Sequence, residues 1–255
     1  MSNSKKILKF FLLAAFLLAV PLQASANTYT DGRYSTVFDE TGNSIYLTAW
    51  IMNVGDEVLT ENNKRYEIIA VNGEKAIARL IGEINLAYYD PPAPADSTGF
   101  LEPSVAQAQA QSKIAVYHTH SDESYVPTDG KESIDGGGTI YKVGAAFKAA
   151  LEKNGMQVFF SDAKHDPHDD MAYERSRRTA LNLIKNDKPD AVFDLHRDAV
   201  PPEVYKGNVD GQDITKVQLV VGKHGPTGKQ IEEYALKIKA AADKKHPGLV
   251  KGIFF

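Results

Sequence analysis

Residues 112–125 read S-K-I-A-V-Y-H-T-H-S-D-E-S-Y. Ile114, Ala115 and Val116 form a short apolar run of the kind buried inside an α/β sheet. The run ends in His118, Thr119 and His120, followed by Ser121, Asp122, Glu123 and Ser124. Open α/β sheets place their sites at the carboxyl ends of strands, and these side chains are competent to bind metal. A second unit of the same kind lies at 191–198, where Ala191, Val192 and Phe193 lead into Asp194, Leu195, His196, Arg197 and Asp198. Two strands that both end in histidine can bring their tips together above one sheet.

The residue types point to zinc. His118 and His120 face the same way if the strand continues through residue 120. His120 and Glu123 are three apart, so a turn there lets both reach one ion. With His196 they make three protein ligands, and water as the fourth ligand is the catalytic arrangement. The alternative is that these histidines cap strand ends with ordinary hydrogen bonds, and spacing alone leaves open which of His118 and His120 would bind. Asp194 and Asp198 flank His196 and are placed to orient it. Arg177 and Arg197 suit bidentate binding of a substrate carboxylate, although an internal salt bridge fits Arg177 equally well. A rival cluster, H-D-P-H-D-D at 165–170, reads as a solvated loop because of its proline and charge density. His224 and His246 read as surface residues.

Around this centre the chain alternates strand and helix from 112 to 255. Strands are expected at 113–118, 156–160, 191–195 and 217–221. Helices are expected at 143–151, 171–186 and 227–243, with apolar faces made by Val143, Ala146, Phe147, Ala150 and Leu151 in the first and Ile231, Tyr234, Ala235 and Ile238 in the last. Asn154-Gly155 supplies a helix stop. This alternation predicts a mostly parallel sheet with helices on both faces.

Residues 27–88 read as a small β-rich module. It has runs at 34–38 and 44–52, and a hairpin of 65–71 with 75–81 around Asn72-Gly73. Trp50 reads as a core filler. Residues 89–111, with Pro91, Pro92, Pro94 and an Ala/Gln run, read as a linker and domain boundary. At the start, Lys5, Lys6 and Lys9 precede an apolar stretch and then Ala24-Ser25-Ala26. This is the pattern of a cleaved signal peptide over 1–26, with an uncleaved membrane anchor as the alternative.

The chain has 255 residues, 43% of them apolar, which supports a core. It has no cysteine, so disulfides and thiolate metal sites are excluded. Its formal charge of −4 becomes about −7 once three signal lysines leave, which argues against a nucleic-acid partner.

With these residues in hand, the sequence resembles the stage II sporulation protein P family. The resemblance is carried by Y-H-T-H-S-D-E-S-Y at 117–125, Y-E-R-S-R-R-T at 173–179, D-L-H-R-D at 194–198 and H-P-G-L-V-K-G-I at 246–253. It implies a zinc amidase-like fold and an exported Zn²⁺ enzyme of the cell envelope. That enzyme would cut peptidoglycan as an N-acetylmuramoyl-L-alanine amidase, with endopeptidase activity on crosslinks, during engulfment. It would work beside the lytic transglycosylase stage II sporulation protein D and membrane-bound sporulation proteins. Carried over, the metal ligands fall on His120, Glu123 and His196, with His118 and Arg197 as catalytic groups and Arg177 on substrate. The resemblance also implies a later strand bearing a general-base glutamate, for which the sequence through Phe255 has no counterpart. Competing readings are a catalytically impaired wall-binding or scaffold protein of the same fold, and a zinc carboxypeptidase.

Overall fold

The structure is a computed structural model and describes residues 28–29, 31–89, 111–169, 171–223 and 225–255. The expected signal peptide and most of the expected linker lie outside the described residues.

Three parallel strands hold the site. β6 (Lys113–Tyr117) lies between β7 (Gln157–Phe160) and β8 (Ala191–Asp194). Ile114, Ala115 and Val116 are buried, as an apolar run flanked on both edges should be. In-register pairing sets Tyr117 beside Asp194, so the residues that follow each strand emerge side by side. α2 (Ile140–Lys153) connects β6 to β7, and α3 (Ala172–Asp187) connects β7 to β8. A single helical turn, α1 (Val126–Asp129), precedes α2.

The larger sheet has seven strands, in the order β11-β12-β3-β4-β5-β1-β2. β1 (Ser35–Asp39), β2 (Ser44–Thr48), β3 (Glu57–Thr60), β4 (Lys64–Asn72) and β5 (Lys75–Glu83) come from the β-rich part. The expected β4–β5 hairpin forms, but its turn is Gly73-Glu74, one residue beyond the Asn72-Gly73 centre read from the sequence: Asn72 pairs with Lys75, and Gly73 takes the positive φ, 59°. β11 (Val217–Val220) and β12 (Val250–Phe254) join the same sheet, so strands from both sides of the expected boundary share one hydrogen-bonded ladder.

This corrects the expected mostly parallel sheet. Only the three-stranded sheet is wholly parallel; in the large sheet β1–β5 and β11–β12 are parallel and the remaining pairs antiparallel. The segment between β8 and β11 explains the departure of β11. It contains a 3₁₀ turn at Pro202–Tyr205 and a short hairpin, β9 (Lys206–Val209) with β10 (Gln212–Thr215), and no α-helix to carry a crossover back onto the small sheet. β12 is buried at all five positions and needs a neighbour on each edge, which β3 and β11 provide.

Alternation puts Val58 and Phe254 on one face of this sheet, with Val37, Tyr46 and Ile68. Leu59 and Ile253 face the other way, onto Ala235 and Leu236 of α4 (Gly228–Lys245). Two helix faces are rotated from expectation. α2 packs through Ile140, Gly144, Phe147 and Leu151, while Val143, Ala146 and Ala150 are exposed. α4 buries Ala235, Leu236, Lys239 and Ala240, leaving Ile231 and Tyr234 outside. The reason is a polar residue in the core: Lys239 is fully buried, its charge met by Asp243 at 2.7 Å and the Glu61 carbonyl at 3.2 Å.

Candidate metal centre

β6 ends at Tyr117, and the chain beyond it turns rather than running on as strand. His118 and His120 therefore do not share a direction. Thr119 holds the turn against β8. Its amide donates to Asp194 Oδ1 at 2.8 Å, and its hydroxyl donates to Oδ2 and is hydrogen-bonded to Ser176 on α3 at 2.7 Å.

The 121–124 segment is then clamped by the loop that follows α1. Glu123 bridges to Ser133, Ile134 N donates to the Asp122 carbonyl at 2.8 Å, and Gly138 N donates to the Ser121 carbonyl at 2.7 Å. Gly138 must be glycine here, since a Cβ would sit 2.0 Å from the Glu123 carbonyl oxygen. The glycine- and aspartate-rich stretch thus works as a backbone splint for a buried glutamate.

His120, Glu123 and His196 converge. One ligand atom from each lies within 4.8 Å of the others. Glu123 Oε1 is 3.7 Å from His196 Nδ1, close to the roughly 3.4 Å between neighbouring ligands of a tetrahedral zinc. Glu123 Oε2 accepts from the Arg197 amide at 2.6 Å, which leaves Oε1 free to face the cluster. His196 Nε2 donates to Asp194 Oδ2 at 2.9 Å, so Nδ1 is the atom turned inward. Burial works against a charged His196, but the Asp194 and Glu123 carboxylates outweigh it and raise its pKa. Burial likewise opposes a charged Asp194, and His196 more than compensates, lowering its pKa.

His120 is different: burial pushes its pKa down to about 4, and neither ring nitrogen has a hydrogen-bond partner. Two buried, unpartnered imidazole nitrogens beside a carboxylate and a second histidine are what a divalent ion would satisfy. The residues therefore fit zinc: neutral nitrogen from His120 and His196, oxygen from Glu123, and Asp194 behind His196 as the orienting acceptor.

The sequence model of the family described as Stage II sporulation protein P matches residues 51–255. This chain belongs to that family. A relative named Stage II sporulation protein P from Bacillus subtilis (strain 168) is 26% identical over 154 residues, which is 55% of this chain and 38% of the relative. The matched region thus spans less than half of the relative's length. No solved structure matches the chain.

The other expected site residues of this Stage II sporulation protein P family member are dispersed. His118, expected as a catalytic group, is not one of the three converging residues. It is fully buried against the edges of Tyr141 and Phe160, with Nδ1 3.3 Å from the Leu195 carbonyl. Its role in the structure is to hold the peptide just before His196. Asp198 does not touch His196 either; it turns to the large sheet, where Ala49 N, Thr48 and Tyr205 donate to it. The Arg197 amide supports Glu123, while its Nε is buried without a partner. Arg177 is exposed on α3, and no hydrogen bond or ion pair links it to the cluster.

The H-D-P-H-D-D stretch corrects the solvated-loop reading. His165 is buried, with Nδ1 2.7 Å from the His118 carbonyl and Nε2 2.8 Å from Thr179. His168 stacks flat on His120 at 4.0 Å and bonds Asp122 at 3.0 Å. Asp170 and His224 lie outside the described residues. Sequence reasoning missed His168, Tyr173 and Thr119 as members of the site. Tyr173 stood inside the Y-E-R-S-R-R-T motif, which was a usable signal; His168 had none beyond its residue type.

Proposed function

We propose that this chain is an exported, zinc-dependent peptidoglycan hydrolase acting in sporulation. It would cleave the amide between the muramoyl sugar and L-alanine, with endopeptidase activity on crosslinks. Family membership supports the sporulation setting. The observation that carries the chemistry is the convergence of His120, Glu123 and His196 within 4.8 Å, with both His120 nitrogens lacking partners.

Zinc, when bound, polarises an amide carbonyl and lowers the pKa of water to about 7. The chain's own residues do the rest. Asp194 fixes the His196 ring by accepting its Nε2–H. The Arg197 amide holds the Glu123 carboxylate in one rotation. His168 backs His120 by stacking on it, and Asp122 in turn anchors His168. The partners that go with this reading are peptidoglycan itself, the lytic transglycosylase stage II sporulation protein D and membrane-bound sporulation proteins. Among the described residues no helix is long and apolar enough to cross a membrane; export rests on the pattern of residues 1–26.

The test is metal content and wall digestion together. The purified chain is expected to hold about one zinc and to release stem peptides from sacculi in a chelator-sensitive way. His120→Ala and His196→Ala are expected to lose both. Zinc content unchanged in both variants overturns the reading. Products that are single amino acids instead of intact stem peptides indicate a carboxypeptidase.

A further inference from the structure

We propose that Tyr173 is a catalytic hydrogen-bond donor, its hydroxyl meeting the carbonyl oxygen of the scissile amide as negative charge builds there. This inference rests on the hydrolytic reading above and adds a residue to it.

Tyr173 stands in the first turn of α3. Its ring is edge-on to His120 at 5.2 Å and 88°, and stacked over His196 at 6.0 Å and 22°. It therefore lies against two of the three proposed ligands at once. The helix behind it is pinned to the site through Ser176, whose hydroxyl oxygen lies 2.7 Å from that of Thr119 and 3.1 Å from the Tyr173 carbonyl oxygen.

The hydroxyl is the informative atom. It is buried, makes no hydrogen bond of normal length, and has the Thr28 side chain as a polar neighbour. Leaving a buried donor unmatched costs about 1–3 kcal/mol. Nothing in the packing requires that oxygen, since a phenylalanine ring would make the same contacts to both imidazoles. A rigid ring that carries an unmatched O–H beside the proposed ligands is a donor whose position the packing already fixes.

In the step concerned, a water oxygen forms its bond to the amide carbon and the π pair of the carbonyl moves onto its oxygen. Tyr173 donates a hydrogen bond to that oxygen and keeps its proton throughout. When the pair returns and the C–N bond breaks, the departing nitrogen takes up the proton the water gave.

The experiment uses the full chain and Tyr173→Phe, which keeps the ring and removes only the hydroxyl. Zinc affinity is expected to match the wild type, and the melting temperature to rise, because the variant no longer buries an unmatched hydroxyl. On a muropeptide substrate kcat is expected to fall about 10²–10³-fold with KM little changed. Binding of a phosphonamidate analogue, which carries the tetrahedral oxyanion, is expected to weaken in parallel. Binding of a reduced-amide analogue, which has no carbonyl oxygen, is expected to be unaffected. Wild-type kcat in the variant overturns the proposal, and so does loss of zinc in step with activity, because then the hydroxyl supports the ligands and not the substrate. Failure of the hydrolytic reading shows separately, as absent zinc-dependent cleavage by the wild type, and overturns both.

Discussion

The carboxylate of Asp198 accepts a hydrogen bond from the backbone amide of Ala49 at 2.7 Å. The same group takes the hydroxyls of Thr48 at 3.2 Å and Tyr205 at 2.7 Å, and stands 3.8 Å from Lys251 Nζ. Asp198 is two residues past His196, so the loop bearing a proposed ligand is moored on the seven-stranded sheet. Asp198→Ala leaves Lys251 without its carboxylate and should cost about 3 kcal/mol of stability in urea denaturation. It should also weaken zinc binding, read by competition with a chromophoric chelator. Unchanged zinc affinity alongside the stability loss would mean that the loop holds its own shape.

Asp194 acts on the same histidine from the other side. It is the acceptor for His196 Nε2 and for both the amide and hydroxyl of Thr119. Asp194→Asn offers one acceptor oxygen where two are used, and its NH₂ opposes the Nε2–H. Zinc affinity should drop about 10–100-fold while the fold survives, since groups behind a ligand commonly contribute that much. Equal affinity in wild type and variant, measured by the same competition, would remove Asp194 from the account.

The elements that sequence made legible are those with a local cause. The apolar run of β6, the Asn-Gly hairpin and the Asn154-Gly155 helix stop all follow from neighbouring residues. So does the meeting of His120 with His196, because parallel strands in register put their ends together. What stayed hidden depends on distant pairing. β12 reads V-K-G-I-F, with a lysine and a glycine inside it, and its partner β3 lies nearly 200 residues earlier. Asp198 reads as a companion of His196 until Ala49 arrives from another sheet. His168 sits in a run whose charges and proline suggest solvent, yet its charged neighbours find partners: Asp122 carries His168, and Ser121 carries Asp166. Helix faces were misjudged where a glycine or a lysine takes the buried position, as Gly144 and Lys239 do, because hydropathy counts neither as a core residue.

Gly144 gives a direct check on that last point. A Cβ at this position would lie 2.5 Å from His118 Nε2 and 2.8 Å from the Phe160 ring. The absent side chain is what lets α2 sit on the imidazole that holds Leu195. Gly144→Ala gains up to about 1 kcal/mol of helix propensity but must push both rings aside, a strain that usually costs about 1–3 kcal/mol. A net loss of stability is expected in thermal melts, with weaker zinc binding through the displaced His118–Leu195 contact. A stabilised Gly144→Ala protein would contradict this packing.

Lys251 sets a pH dependence of stability that can be assigned in sign. It is 8% exposed, donates to the Leu47 carbonyl and to Gln218 at 3.0 Å, and lies over the rings of Tyr46 and Tyr205. Burial pulls its pKa from the ordinary 10.5 down to about 8, with Asp198 resisting. The folded chain therefore holds this proton less tightly than the unfolded chain. Below pH 8 the full cost of charging a buried amine is present, roughly 3 kcal/mol. Between pH 8 and 10.5 the unfolded state binds more protons, so this contribution makes stability rise with pH across that window. Lys251→Met removes the titration. The difference in unfolding free energy between wild type and variant should move in favour of the wild type from pH 7 to pH 10 in urea titrations. Parallel profiles over that range would show that Lys251 keeps its ordinary affinity for the proton, with the hydrogen bonds and Asp198 offsetting its burial completely.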